Sequence, residues 1–296
     1  MAQVGFAPSG AAAPSPRSPE DLEDTMSKNP NMSKADRREA ARAEALALRE
    51  KEQQRDRRNR IITLSVLAVA LVALGVVVWM ILQQGAKKNV DDVPLADVTM
   101  PSTARADGGI TVGKDGAAGT DNGDVPEIQV YLDYMCPICG DFEQTNAAGI
   151  DEMVAAGDAT VVYHPISILD RASQGTEYST RAASAAAYVA DKAPETFPAF
   201  HAALFTNQPA ENTPGLSDEE LAQYAEQAKV PADVAKAIED GTARETFGQY
   251  VFSATKEIQQ DQGFTGTPYV LVDGTVVSNW NDPSALKTAV DAAAKG

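Results

Sequence analysis

Residues 61–82, IITLSVLAVALVALGVVVWMIL, carry no charge and only two polar side chains, Thr63 and Ser65. At about 1.5 Å of rise per helical residue the run is long enough to cross a hydrocarbon layer of about 30 Å. It reads as a transmembrane helix over 61–83 and divides the rest of the chain between two compartments. A cleaved signal peptide is a poor fit, because the run is too long, begins sixty residues in and lacks a small-x-small cleavage site. Lys51, Arg55, Arg57, Arg58 and Arg60 precede the span, whereas only Lys87 and Lys88 follow it closely. Basic residues stay on the cytoplasmic side, so the N-terminus is expected in the cytoplasm and everything after the span outside it, in a cell membrane crossed once.

The two sides differ in composition. Residues 1–32 are rich in Ala, Ser and Pro and poor in bulky apolar side chains, which predicts a disordered tail. Residues 33–60 are helix formers with Glu39/Arg42 and Asp56/Arg60 at helical pairing distances, a charged cytoplasmic juxtamembrane helix. After the span, 84–104 is polar and punctuated by Gly and Pro, which predicts an extracytoplasmic linker. Residues 84–296 hold 13 Lys/Arg against 32 Asp/Glu. A surface so acidic repels phosphate backbones, and nucleic acid is excluded as a partner of this part.

Within 105–296 the hydrophobic period changes several times. A short strand at 110–113 precedes EIQVYLDY, a β-rich run; a helix is expected from about Pro137, and 161–169 reads as a strand. A helical stretch follows, with 177–261 rich in Ala, Glu and Gln, and the insertion as a whole spans about 170–261. PYVLVDG and TVVSNW then form a hairpin around Asp273-Gly274, and a terminal helix follows with Asp282 as N-cap and Pro283 at N1. Strand, helix, strand, hairpin and helix around a helical insertion make an α/β fold.

Only two cysteines occur in the chain, Cys136 and Cys139, in CPIC. As a structural staple they would close a very small loop and constrain the unfolded chain little. As half of a metal site they lack partners, since His164 and His201 are the only histidines and each has an ordinary explanation, one in an apolar strand and one on a helix. As a redox pair they use every local feature. A strand delivers Cys136 to a helix start, Pro137 supplies a helix-compatible φ, and the backbone N–H groups with the helix dipole favour a thiolate. Cys139, almost one turn on, is placed to resolve a mixed disulfide.

The strand followed by Cys136-Pro137-Ile138-Cys139, Phe142-Glu143 on the next helix, the long helical insertion and Gly266-Thr267-Pro268 before a strand together resemble the thioredoxin superfamily. Within it they are similar to the DsbA-like thiol:disulfide oxidoreductases of bacterial envelopes, over about residues 105–296. The resemblance implies a thioredoxin-like core with an inserted helical subdomain, Cys136 and Cys139 as the catalytic pair, and Thr267 with Pro268 as a cis-proline loop that binds substrate. Pro137, Ile138 and Asp133 are then the residues that tune the pair. Ile138 stands where strongly oxidising members carry histidine, and Val130 where relatives often carry a buried acid that Asp133 partly replaces. Asp133 has an ordinary reading too, a solvated carboxylate at a strand end.

The implied activity is disulfide formation in exported proteins that carry free cysteines. It needs no cofactor and no metal, a quinone-linked membrane oxidase restores the disulfide, and the anchor helix contacts lipid. The same site run in reverse, as a reductase or isomerase, and a copper-holding chaperone module are the alternatives.

Overall fold

The computed structural model describes residues 92–295 and, ahead of them, the exposed helical positions Arg42, Leu46, Arg49, Gln53, Arg57, Leu64 and Ser65. The expected N-terminal tail and nearly all of the juxtamembrane helix and the 61–83 span lie outside the described residues. Among the described residues no helix is long and apolar enough to cross a membrane. The chain divides into units Met1–Lys88 and Asn89–Gly296, and the second carries the fold described below.

Strand β2 (Glu127–Leu132) alternates half-buried and buried positions, with Ile128, Val130 and Leu132 turned into the core. That period of two is what one packed sheet face requires. Strand β3 (Thr160–Pro165) is buried at every position, because it lies inside the sheet. The two pair in parallel, Val130 opposite Tyr163, so a crossover must join them. Helix α1 (Pro137–Ala156) is that crossover, ended by Gly157 at φ 81°, a left-handed cap that only glycine adopts without strain. Its inward row is Phe142, Asn146, Ile150, Met153 and Val154, at three- and four-residue spacing.

The remaining strands extend the sheet on both sides. β1 (Ile110–Val112) pairs antiparallel with β3; β4 (Tyr269–Val272) pairs antiparallel with β2, and β5 (Thr275–Val276) with β4, giving the order β1-β3-β2-β4-β5. The β4–β5 turn places Asp273 at φ 44° and Gly274 at φ 74°, the two positive φ values that a two-residue hairpin needs.

Between β3 and β4 run five helices: α2 (Tyr178–Lys192), α3 (Phe197–Thr206), α4 (Asp218–Gln227), α5 (Ala232–Glu239) and α6 (Thr242–Ile258). In α2, Ala182, Ala183, Ala185, Ala186, Ala187 and Ala190 are all buried, and their small side chains let α6 approach closely. The Arg181 guanidinium, also buried, donates to Asp218, to the Thr176 carbonyl and to the Leu216 carbonyl, fixing the run into α4. Helix α7 (Ala285–Ala293) closes the domain against α1 and β4.

Three local expectations are corrected. Strand β3 stops at Pro165 rather than at 169, because beyond it the Leu169 amide turns to a side-chain acceptor, Asp133, instead of a strand. Helix α7 begins at Ala285 with Ser284 as N-cap; Asp282 instead accepts from the Ser284 amide and hydroxyl, leaving Pro283 outside the helix. The stretch 92–104, expected as linker, packs onto the domain: Leu95 is buried, Ser253 donates to the Val93 carbonyl at 2.7 Å, and Ser102 binds Asp191.

Phe142 is fully buried on α1 and meets Trp280 edge to face at 5.6 Å. Truncating such a ring costs about 3–5 kcal/mol. For a domain of this size that is roughly 10 °C in melting temperature. Phe142→Ala should therefore lower the Tm of the reduced protein by about that much in a calorimetric scan, and a fall under about 2 °C would show that α1 does not close the core through this face.

Candidate active site

Cys136 stands where β2 has ended and α1 has not yet begun. It is the N-cap of α1, at φ −75° and ψ 114°, with Pro137 at the first helical position. An N-cap residue faces the unpaired amides of the first turn, and those amides favour an anion. The fold thus aims the positive end of a twenty-residue helix at one sulfur. Both cysteines are free thiols here; Cys136 is 6% exposed and Cys139 wholly buried.

Their chemistries are driven apart. The Cys136 thiol is lowered from the ordinary value of 9 to about 6: the Cys139 thiol as hydrogen-bond partner lowers it most, burial opposes, and Thr267 and the backbone N–H groups of Cys139 and Ile138 lower it further. Burial raises Cys139 well above the ordinary thiol range, and its partner sulfur raises it further. One sulfur is a nucleophile near neutral pH; the other keeps its proton.

The register of the sheet brings in the second half of the site. Tyr131 pairs with Tyr269 across an antiparallel ladder, so the residues that precede Tyr269 run alongside those that follow Tyr131. Thr267 therefore lands beside Cys136, whose thiol donates to the Thr267 carbonyl at 3.4 Å. The Thr267–Pro268 peptide bond is cis. The Thr267 hydroxyl is buried without a hydrogen-bond partner next to the sulfurs, a donor left over for a thiolate.

Asp133 is not solvated. Its carboxylate is wholly buried and accepts from the Met135 amide at 2.8 Å and the Leu169 amide at 2.9 Å. Burial pushes it to about 7, against those two amides. Its geometry makes it a clasp between the end of β2 and the loop after β3. Ile138, between the cysteines, is by contrast about half exposed and offers an apolar edge beside Cys136.

Sequence reading missed a third element touching the redox turn, supplied by α3 and the residues after it. The Gln208 carboxamide donates to the Cys136 carbonyl at 2.8 Å and to the Tyr134 carbonyl at 3.2 Å. His201 bridges Tyr134, 2.9 Å from its hydroxyl through Nδ1, and Glu143, 3.2 Å from its carboxylate through Nε2. A carboxylate only accepts, so the contact with Glu143 has Nε2–H as its donor. His201 in FPAFHAALF, a polar ring in an otherwise apolar helix, was the one available sign of this network. His164 takes no part: it stacks on Tyr131 at 4.0 Å, and burial lowers it to about 4. Among the described residues no group of three or more His, Cys, Asp or Glu is placed to hold a metal.

Comparison with known proteins bears on the family and the fold. A Thioredoxin family model matches residues 112–292. The serine/threonine-protein kinase PknE of Mycobacterium tuberculosis is 35% identical over 165 residues, 54% of this chain, and the chain spans 28% of that protein's length. Among solved structures, oxidised DsbA of Mycobacterium tuberculosis is 29% identical with a TM-score of 0.53, covering 64% of this chain and 93% of that one. MdbA, a thiol-disulfide oxidoreductase of Corynebacterium diphtheriae, is 26% identical with a TM-score of 0.53, covering 69% of this chain and 100% of that one. The α/β core is thus thioredoxin-like and of the DsbA type.

The split between the two thiols sets a pH dependence. Cys136 is depressed in the folded protein, so its stabilisation of the reduced form is complete above the unfolded thiol value and is lost as pH falls through about 6. Reduced wild type should gain stability over Cys136→Ser between about pH 6 and 9. Iodoacetamide should alkylate Cys136 with a midpoint near pH 6 and leave Cys139 untouched, as read by peptide mass. Equal labelling of both cysteines across that range would contradict the assignment.

Proposed function

The chain belongs to the thioredoxin family, and on that footing we propose that it is a thiol:disulfide oxidoreductase that forms disulfides in exported proteins outside the membrane. The observation that carries the reading is Cys136 as the N-cap of α1, with its thiol lowered to about 6 beside a buried partner thiol that is raised.

In the oxidised enzyme Cys136 and Cys139 share a disulfide. A substrate thiolate attacks the Cys136 sulfur, since Cys139 is wholly buried; the Cys136–Cys139 bond breaks and Cys139 leaves and takes up a proton. A second substrate thiolate then attacks the substrate sulfur of the mixed disulfide, and Cys136 departs as a thiolate. Its low proton affinity makes it a good leaving group. Two electrons have passed from the substrate dithiol to the enzyme pair. The Thr267 backbone beside Cys136 provides N–H and C=O groups to which an extended substrate segment can add as a short strand, with Pro268 donating nothing to compete.

Stabilising the Cys136 thiolate stabilises the reduced enzyme, which favours taking electrons from a substrate dithiol over passing them on to a substrate disulfide. The reductase or isomerase direction therefore draws less support. A copper-holding module draws less too, because a metal ligand must be a thiolate and burial raises Cys139 well above the ordinary thiol range.

Location is proposed from the sequence. The apolar run at 61–82, with five basic residues before it and two after, puts the redox domain on the outer side of a cell membrane, anchored in lipid. There disulfides persist and exported proteins emerge reduced. A quinone-linked membrane oxidase is the class of partner that collects the two electrons.

Cys136→Ser should be inert in oxidising a reduced dithiol peptide, because the attacked sulfur is gone. Cys139→Ser should hold substrate proteins as mixed disulfides, visible as higher bands on a non-reducing gel and released by dithiothreitol. Turnover by Cys136→Ser, or no trapped species with Cys139→Ser, would sink the proposal. For location, protease added to intact cells should digest the domain after residue 84 and spare residues 1–60; the opposite pattern would reverse the orientation.

A further inference from the structure

Of the side chains that hold the redox turn, Gln208 binds the Cys136 carbonyl itself. Cys136 offers its carbonyl as the first acceptor of α1, taking the amides of Cys139 at 3.0 Å and Gly140 at 3.2 Å. Of these two, Cys139 also has its amide facing the Cys136 sulfur, together with that of Ile138. Gln208, from the loop after α3, adds a third donor to that carbonyl at 2.8 Å and gives its other N–H to the Tyr134 carbonyl at 3.2 Å. A carboxamide has two donor hydrogens, so both bonds form together. With the amide flipped, its oxygen would face two carbonyls, so the partners themselves fix the orientation.

A second observation concerns the space that Gln208 occupies. A Cβ added at Gly140 would come within 2.5 Å of the Gln208 Oε1 and meets no other atom so closely. Gly140 lies inside α1, where alanine is the better helix former, so nothing about the helix itself calls for glycine. The missing side chain makes room for the carboxamide. The neighbouring grip of His201, on α3 itself, on Tyr134 and Glu143 brackets the same segment.

We propose that Gln208 is a positioning residue of the active site: its carboxamide, presented by the helical insertion and accommodated by Gly140, fixes the Cys136 carbonyl and thereby sets the reactivity of the Cys136 sulfur. It touches neither sulfur nor substrate and acts through the geometry of the first turn of α1. The inference rests on the oxidoreductase reading for its purpose but not for its test. If the carbonyl is released, the first turn loosens, the amides of Ile138 and Cys139 lose their aim, and the thiolate they stabilise becomes less populated.

The test uses the full-length protein in detergent, reduced, as wild type, Gln208→Met and Gly140→Ala. Methionine keeps the length of glutamine without its donors, and alanine displaces the carboxamide from the other side. Iodoacetamide labelling of Cys136 is followed from pH 5 to 9 by peptide mass, alongside thermal melting. Both variants should shift the Cys136 labelling midpoint to higher pH and slow labelling at pH 6 by about threefold or more, a thiolate-fraction effect, while melting cooperatively. A purely structural role would lower the Tm and leave the midpoint in place. A wild-type midpoint in either cooperatively folded variant overturns the proposal, and if Gln208→Met fails to fold, Gly140→Ala decides alone. Failure of the wild type to oxidise a reduced dithiol peptide would overturn the oxidoreductase reading instead, because the labelling comparison does not depend on turnover.

Discussion

The active site depends on one junction, the point where a buried strand gives way to a helix at Cys136. Parallel pairing of β2 with β3 demands a crossover, and the crossover must start where β2 ends. Placing a cysteine at the cap puts a sulfur in the position that an N-capping oxygen usually fills, and no side-chain capping bond competes for the first amides. The rest of the domain holds that junction still. Asp133 clasps its strand side, the antiparallel register of β4 sets Thr267 against it, and Gln208 with His201 grips it from the insertion.

The insertion thereby acquires a role beyond bulk. Five helices between β3 and β4 could have been packed anywhere against the sheet, but α3 returns to the redox turn while α2 and α6 form an alanine-lined pair behind it. Tyr250 on α6 donates to the Gly108 carbonyl at 2.6 Å, tying the insertion to the chain just before β1 as well. Breaking any one of these buried bonds strands a polar group, so the network resists piecemeal loosening. A sulfur held this way would meet an attacking substrate thiolate already aligned, with little ordering left to do.

Much of this was legible in the sequence because it is local. Cys136, Pro137 and Cys139 lie within four residues and follow an alternating strand, and the Asp273-Gly274 turn and the Ala-rich helices announce themselves by composition. Long-range polar partners were not legible. Asp133 reads as a solvated strand-end acid until Leu169, thirty-six residues on, is seen to donate to it. Gln208 lies seventy-two residues from Cys136 in an unremarkable polar loop, and only tertiary packing brings its carboxamide to that carbonyl. Element ends shifted for the same reason: β3 ended early and α7 began late where side-chain acceptors took over backbone amides.

The central claim is that a dithiol with one stabilised thiolate makes an oxidising couple. The most direct measurement is the equilibrium of the full-length protein with glutathione buffers, with the dithiol and disulfide forms separated by mass after alkylation. Thioredoxin, with a thiol near 7, poises at about −270 mV, and DsbA, near 3.5, at about −120 mV. A Cys136 thiol near 6 predicts a single two-electron transition between those limits. A potential below about −270 mV, or two cysteines that never form an intramolecular disulfide, would contradict it.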